Sequence, residues 1–191
     1  MSYLRTEQVD ENEYPVFARI KQRFGFIPNF YRAQTMRLDL IEAETHLGSA
    51  LINKESALTR QQKEYIFLVC SAANLSTYCV TTHCEMIRML GIQGPEPEQI
   101  AVDHTVTKLP IPIKALLNFA KKLTNQPTRV NAADIDTLRT YGFTDEQILE
   151  AVVLVGFAKF ANYVAFGLGT VPDFDSSKIE ARFSAAAPVT P

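Results

Sequence analysis

The chain has 191 residues, of which 47% are hydrophobic, so it is long enough to bury the core of one domain. Its 19 basic and 21 acidic residues are spread along the sequence and give a formal net charge of -2, with no basic stripe and no polybasic cluster. We therefore expect neither nucleic acid nor a membrane as a partner.

The N-terminal residues and the cysteines indicate a cytoplasmic protein. The first residues contain no positively charged segment followed by a long apolar run, and no stretch reaches the roughly 20 uninterrupted apolar residues of a membrane-spanning helix. Three cysteines are too few, and odd in number, for a secreted disulfide framework. We expect a soluble cytoplasmic protein with at least one free thiol.

Apolar residues recur at intervals of three and four along nearly the whole chain, and no segment alternates as a half-buried strand does. The sequence therefore predicts an all-α fold. Helices are expected just after Pro28 and at 38–54, 59–74, 76–90, 112–124, 131–141 and 146–168. Two of them begin with a capping box, in which Thr59 pairs with Gln62 and Thr144 pairs with Gln147.

The chain contains an internal repeat. Residues 58–83 and 143–169 share a turn, a Thr-x-x-Gln cap, a long apolar helix and a small-residue ending, at an offset of about 85 positions. This similarity predicts a helical bundle with two pseudo-repeated helical hairpins in a single domain, residues 1–175. The segment 176–191, rich in Ala, Ser and Pro, is expected to be a mobile tail.

Only the first copy of the repeat carries residues suited to redox chemistry. Cys79 and His83 are four residues apart in a predicted helix, so they share a face and the imidazole can take the thiol proton. If Ser76 is the N-cap, the sulfur lies in the first turn, where free N–H groups stabilise a thiolate. Both effects would lower the pKa of Cys79. Glu64 interrupts an apolar stripe and needs a partner, and a hydrogen bond to His83 would complete a Glu–His–Cys relay.

The other candidates have simpler interpretations. Cys70 lies on the packed face of its helix and is expected in the core. Cys84 points about 100 degrees away from the neighbouring histidine around the helix. Tyr78 either donates a hydrogen bond in a pocket or packs there as an aromatic ring. His46 and His104 have polar neighbours and are expected at the surface. Two ligands on one helix fall short of a tetrahedral zinc site, so no metal is expected.

These residues resemble the pattern of the alkylhydroperoxidase-like branch of the carboxymuconolactone decarboxylase superfamily. In that pattern a Glu is followed, after about twelve residues, by Cys-x-x-Cys-x-x-x-His in a helical hairpin. In this chain Ser76 takes the place of the first cysteine after Glu64, and Cys79 and His83 follow at the same spacing. Segments such as GFIPNFYRA and ADIDTLRTYGFTDEQILEAV are also similar to the longer, peroxidase-related members, over residues 15–175.

The resemblance implies a thiol-dependent peroxidase that needs no cofactor. Its nucleophile would be Cys79, which is deprotonated through the Glu–His relay, attacks a hydroperoxide and becomes a sulfenic acid. In the family the first cysteine then closes a disulfide that a reductant reopens, which Ser76 cannot do. An external thiol reductant is the favoured replacement, and Cys84 or Cys70 is the alternative resolving thiol.

Two further hypotheses stay open. A lyase acting on a lactone acid, as in the other branch of the family, would need a cation for the substrate carboxylate, and Arg88 is the candidate. A non-catalytic helical assembly would keep Cys79 and His83 as packing residues, with peroxidase activity lost. A homo-oligomer is expected in every case, because the family forms symmetric oligomers and helix 146–168 has more apolar surface than one small bundle covers.

Overall fold

The computed structural model describes residues 2–4, 10, 12 and 14–186. Within these residues the chain forms helices and no β-strand, which confirms the predicted all-α class. The helices are α1 (Pro15–Phe24), α2 (Asn29–Arg32), α3 (Leu38–Gly48), α4 (Arg60–Ala73), α5 (Thr77–Met89), α6 (Pro97–Asp103), α7 (Ile111–Asn125), α8 (Ala132–Thr140), α9 (Asp145–Leu168) and α10 (Ser177–Ala186). A π-helical turn, Ser49–Asn53, extends α3, and a 3-10 turn, Pro127–Arg129, follows α7.

Helix α4 is the centre of the bundle because apolar residues surround it on nearly every side. Its residues 63–72 are all buried, and Ile66, Leu68 and Cys70 are 0% exposed. A helix of this kind has no polar face to turn toward water. It packs against α5, α6, α7 and α9 at once, and Glu64, near its start, is thereby carried into the interior.

The predicted helix starts are present. At the start of α4 the Thr59 hydroxyl accepts a hydrogen bond from Gln62 N at 3.2 Å, and Gln62 Oε1 accepts one from Thr59 N at 2.8 Å. Thr144 and Gln147 form the same reciprocal pair at the start of α9. Both boxes satisfy N–H groups that the first helical turn leaves free, so α4 and α9 begin where the sequence predicts.

The two copies of the internal repeat differ in where the helix breaks. The first copy breaks after α4 and continues as α5, whereas the second is one continuous helix, α9, of 24 residues. The break depends on Leu75, which adopts the left-handed conformation with a φ of 57°. The equivalent positions of the second copy are Lys159, Phe160 and Ala161, which are all tolerated inside a helix, so α9 continues without a turn.

Residues 177–186, which lie in the segment expected to be a mobile tail after a domain boundary at 175, form helix α10. Helix α10 packs against α5, with Ile179 buried and Phe183 partly buried against the main core. These two side chains are four residues apart and share one face, so a short apolar stripe holds the helix in place. Residues 187–191 lie outside the described residues.

A smaller apolar cluster covers one side of the main core. Val16, Phe17 and Ile20 of α1 pack with Ile27 and Ile41. Helix α1 contacts α3, and the π-helical turn after α3 contacts both α4 and α9. The segment from α1 to α3 therefore forms a cover, and the candidate site lies between this cover and the helices α4 and α5.

Helix α9 is, within the described part of the chain, the one helix that is long and apolar enough to span a membrane by length and composition alone. A core helix of a soluble protein has the same properties, and the inner face of α9 packs against α4, α5, α7 and α8. Its outer face carries exposed apolar residues at helical spacing. They are Leu149, Val152, Val153, Phe160, Tyr163 and Phe166.

We expect a second copy of the chain to cover this outer face of α9, because long exposed apolar stripes are rare on monomers. Val153→Glu should lower the mass measured by size-exclusion chromatography with light scattering to that of a single chain. Val106→Glu is the matched control, since Val106 is 79% exposed and lies outside α9. A wild-type protein that already elutes as a single chain would contradict the expectation.

Glu44 of α3 makes the stability of the cover depend on pH. Its side chain is 8% exposed. Burial raises its pKa to about 6, although Gln34 Nε2 donates a hydrogen bond to its carboxylate at 3.1 Å. Between the ordinary Glu range and about pH 6 the folded state therefore holds a proton that the unfolded state releases. The protein loses stability as the pH rises through this window.

Glu44→Gln should raise the free energy of unfolding at about pH 8 by roughly 1–2 kcal/mol and change it little at about pH 4, because the amide removes the cost of the buried charge. Urea unfolding of both proteins at the two pH values measures the difference. Glu42→Gln is the control, since Glu42 lies on the same helix and 41% of its side chain is exposed. Equal stabilisation at both pH values would show that Glu44 is not the cause.

Candidate active site

The turn between α4 and α5 brings the candidate residues together. Leu75 adopts its left-handed conformation, and Ser76 N donates a hydrogen bond to Ser71 O at 2.9 Å, as in a Schellman motif. The chain therefore reverses within three residues and α5 packs back along α4. This reversal places His83, in the middle of α5, beside Glu64, near the start of α4.

Glu64 and His83 form a buried hydrogen-bonded pair. His83 Nδ1 lies 2.6 Å from Glu64 Oε2, and Arg60 Nε donates to Glu64 Oε1 at 2.7 Å. Burial alone would raise the pKa of Glu64, but His83 and Arg60 outweigh it and hold the pKa below its ordinary value. The His83 ring also stacks on Phe67, with the ring centroids 3.9 Å apart. The hydrogen bond expected from the sequence is present, and the imidazole is fixed on two sides.

Cys79 is a buried thiol rather than the activated thiolate that the sequence suggested. Its side chain is 4% exposed. Burial raises the pKa of Cys79, and hydrogen bonding from Ser76 and Asn162 opposes this effect without cancelling it. Within the described residues no hydrogen bond joins His83 to the sulfur. Of the expected relay, the hydrogen bond between Glu64 and His83 is therefore present, whereas the described residues show none between His83 and Cys79.

Ser76 occupies the N-cap of α5, but its side chain caps no helical N–H group. Its Oγ is buried and lacks a partner of ordinary geometry among the described nitrogen and oxygen atoms. The same hydroxyl lies beside the Cys79 sulfur, whose pKa it lowers. Ser76 is thus a donor available to a thiolate at Cys79, in the place where the resembled pattern has a second thiol.

Asn162 of α9 completes the polar surroundings of Cys79, and sequence reasoning missed it. It is 0% exposed. Its Nδ2 donates to Ser71 Oγ at 3.0 Å, and its Oδ1 accepts from Asn74 Nδ2 at 2.7 Å. These contacts hold the amide beside the sulfur. The signal that could have found it is an amide within the long apolar run of α9.

A cavity of about 80 Å³ lies between the cover and the helices α4 and α5. Cys79, His83 and Glu64 all line it. Aromatic rings contributed by the cover, by α4 and α5, and by α9 form a large part of the remaining wall. These rings belong to Phe24, Phe30, Tyr31, Phe67, Tyr78 and Phe157. The three predicted residues therefore face one small, largely apolar chamber.

Tyr78 anchors the cover above this cavity. Its hydroxyl donates to Asp173 Oδ2 at 2.6 Å and accepts a hydrogen bond from Phe30 N at 3.1 Å. Asp173 also accepts from Asn29 N at 3.0 Å, and the rings of Tyr78 and Phe30 stack. Tyr78 therefore both donates a hydrogen bond and packs as an aromatic ring, the two roles suggested by the sequence. Because Asp173 accepts the hydrogen bond of its hydroxyl, Tyr78 supports the site by fixing α2 in place.

The other two cysteines lie away from the cavity. Cys84 is buried in a separate cleft under α10, where it lies with Glu85 and Arg88, and burial raises its pKa to about 12. Cys70 is 0% exposed, beside Ala120 O in the core. The structure therefore does not bring Cys84, the suggested resolving thiol, to the side of the helix that faces the cavity, and Cys70 is a core residue as predicted.

Two charged or titratable residues also differ from expectation. Arg88 pairs with Glu98 at 2.5 Å and with Glu85 at 2.5 Å, outside the cavity, so the cation of the lyase hypothesis is not at the site. His104 is 2% exposed rather than at the surface, because Asn118 Oδ1 gives its ring a partner at 2.8 Å. Burial lowers the pKa of His104. His46 is exposed, as predicted.

Two solved structures, both of peroxidase-related proteins, have a fold similar to that of this chain. An uncharacterized peroxidase-related protein from Ralstonia eutropha JMP134, described as an alkylhydroperoxidase AhpD core, is 29% identical to the chain with a TM-score of 0.82. The match covers 92% of this chain and 94% of that chain. An uncharacterized peroxidase-related protein from Silicibacter sp. TM1040 is 26% identical, with a TM-score of 0.83 over 90% of this chain and 92% of that chain.

More distant similarity extends to an enzyme of a different kind. The debrominase Bmp8, solved in complex with 2,3,4-tribromopyrrole, is 17% identical, with a TM-score of 0.77 over 98% of this chain and 100% of that chain. This likeness shows a shared fold alone. No family model and no curated protein matches the chain. The two peroxidase-related structures show that the chain has the AhpD-like fold of the carboxymuconolactone decarboxylase superfamily, as its sequence predicted.

Proposed function

We propose that the protein is a thiol peroxidase that reduces hydroperoxides through Cys79. The observation that carries this proposal is the buried Glu64–His83 pair, which faces the same cavity as the only cysteine thiol that lines it. A buried carboxylate is costly unless it has partners, so its placement beside a histidine and a nucleophile suits proton transfer better than packing. The peroxidase-related proteins of the same fold agree with this choice.

The proposed reaction begins with the thiolate of Cys79. The sulfur attacks the terminal oxygen of the hydroperoxide, an S–O bond forms, the O–O bond breaks, and the alkoxide leaves and takes up a proton. The peroxide is reduced by two electrons and Cys79 becomes a sulfenic acid. An external thiol then displaces water to give a mixed disulfide, and a second thiol releases it and restores Cys79.

His83 is the proton carrier in this reaction. The ionised Glu64 accepts the hydrogen bond of Nδ1–H, so the lone pair of the neutral ring lies on Nε2, which makes no hydrogen bond within the described residues. Nε2 is therefore the base that takes the Cys79 proton and returns it to the leaving alkoxide. Because no direct hydrogen bond joins the two side chains within the described residues, a water molecule in the cavity that both of them line would carry the proton.

The surroundings of Cys79 favour a thiol that is protonated in the resting protein and loses its proton during the reaction. Burial keeps the pKa of Cys79 above its ordinary value in the resting protein, so little thiolate is present near neutral pH. Ser76 and Asn162 both lower that pKa, and negative charge on the sulfur strengthens hydrogen bonds of this kind. These two donors are therefore placed to stabilise the thiolate once His83 has taken the proton.

The lyase hypothesis has less support. It relied on Arg88, which glutamates hold outside the cavity, and it leaves Cys79 without a role. The hypothesis of a non-catalytic assembly explains Cys79 as packing, but it leaves the polar arrangement of Glu64 and His83 in an apolar interior without a reason. Peroxide reduction uses all three residues.

We expect tert-butyl hydroperoxide to convert Cys79, and neither other cysteine, to a sulfenic acid that dimedone traps and peptide mass mapping locates. Cys79→Ser should abolish labelling, and Glu64→Gln or His83→Asn should slow it by about 10²- to 10⁴-fold, the usual contribution of a general base. Cys84→Ser is the matched control and should keep the wild-type rate, because Cys84 lies outside the cavity.

Slow labelling shared among the three cysteines would contradict the proposal. Release of bromide from 2,3,4-tribromopyrrole, without any reaction with hydroperoxide, would favour dehalogenation instead.

We expect Ser76→Cys to supply the missing resolving thiol. Ser76 Oγ lies beside the Cys79 sulfur at the start of α5, so a cysteine at this position should condense with the sulfenic acid. Peroxide treatment of this variant should give an intramolecular disulfide, seen by intact mass, and no dimedone adduct. A dimedone adduct formed as readily as in the wild type would show that the two side chains cannot meet. Thr77→Cys is the control, because residues two apart in a helix do not face each other and Thr77 does not line the cavity.

A further inference from the structure

Arg23 is a cation at the cavity that the proposed reaction leaves without a role. It lies in the last turn of α1, and its guanidinium sits over the ring of Phe24 at 4.7 Å. It lines the same cavity as Cys79. Gly48 of α3 is a neighbour of the guanidinium, since a Cβ at that position would lie 4.0 Å from Arg23 Nη1.

The guanidinium of Arg23 has no protein counter-ion within the described residues. Its Nε is buried and makes no hydrogen bond there. A planar guanidinium normally binds carboxylates or phosphates through two parallel hydrogen bonds, and a buried donor without a partner is costly. Burial accordingly lowers the pKa of Arg23. The group is therefore held in place for a partner that the chain does not supply.

The neighbouring groups do not neutralise this charge. Glu64 is the carboxylate that lines the cavity, and its two oxygens are already engaged by Arg60 and His83. The phenol of Tyr31 is neutral, because burial raises its pKa. The cavity therefore keeps a surplus positive charge at the end formed by the cover.

We propose that Arg23 binds a carboxylate, so that the cavity selects small substrates with an apolar body and a single carboxylate group. This inference deepens the proposed function and rests on it for the reacting group, which is a hydroperoxide at the end of the molecule that faces Cys79. The aromatic rings of the wall enclose the apolar part, and Arg23 fixes the orientation.

The size of the cavity limits the ligand. An apolar cavity of about 150 Å³ holds benzene, and this cavity measures about 80 Å³. A ligand of a few carbon atoms with one carboxylate therefore fits while α2 stays in place.

Alkylation of Cys79 with iodoacetate and iodoacetamide tests the proposal without hydroperoxide. The two reagents have nearly the same shape, and in both the sulfur forms a bond to carbon while iodide leaves, but only iodoacetate carries a carboxylate. The uncharged reagent is normally the faster with protein thiols. We expect iodoacetate to alkylate Cys79 about tenfold faster than iodoacetamide, in line with the range that electrostatic attraction gives.

Variants of the two arginines on α1 identify the cation. Arg23→Met keeps the apolar stem on Phe24 and removes the charge, so it should abolish the preference for iodoacetate. Arg23→Lys should keep part of it. Arg19→Met, which removes an exposed charge one turn earlier on α1, should keep all of it. A preference for iodoacetamide in the wild type, or an unchanged preference in Arg23→Met, would overturn the proposal.

A second measurement decides the case if neither reagent reaches Cys79. Ligand-observed NMR should then show that propionate binds to the wild-type protein and propionamide does not, and that Arg23→Met removes the difference. Equal signals for the two compounds would overturn the carboxylate site. Both readouts are independent of peroxide chemistry, so an anion preference without dimedone labelling would retain the carboxylate site and reject the peroxidase.

Discussion

The hydrogen bond between Glu64 and His83 is the constraint on which the site depends. Helix α4 is apolar on nearly every side and α5 packs against it, so a carboxylate at this depth is tolerated only because Arg60 and His83 share its charge. Removing one partner of such a buried group typically costs about 3–5 kcal/mol. The same pairing therefore holds the two helices in register, fixes the ring of His83, and leaves the other imidazole nitrogen available for chemistry.

The cover sets the environment in which the proposed reaction at Cys79 takes place. Tyr78, which precedes Cys79 in sequence, binds Asp173 from the segment after α9 and the backbone of Phe30 in α2. The cover is thus attached to α5, the helix that carries Cys79. Because the cover buries Cys79 away from water, it raises the pKa of the Cys79 thiol. The same exclusion of water strengthens electrostatic interactions inside the cavity, including that of Arg23.

Features that depend on local spacing could be predicted from the sequence, and features that depend on distant segments could not. The helical period places Cys79 and His83 on one face, and the cost of a buried carboxylate requires a partner for Glu64. Arg23 and Asn162 come from α1 and α9, and no local pattern links either residue to the site. The direction of the Cys79 pKa was predicted wrongly for the same reason, because the burial that raises it is produced by tertiary packing.

Adjacent residues of α9 connect the interior of the protein to its surface. Asn162 is 0% exposed and lies beside the sulfur, whereas Tyr163 is 62% exposed on the outer apolar face. A rigid helix cannot move one of these side chains without moving the other. A rotation of α9 about its axis would therefore move both side chains together, which links the position of the amide beside Cys79 to the outer face of the helix.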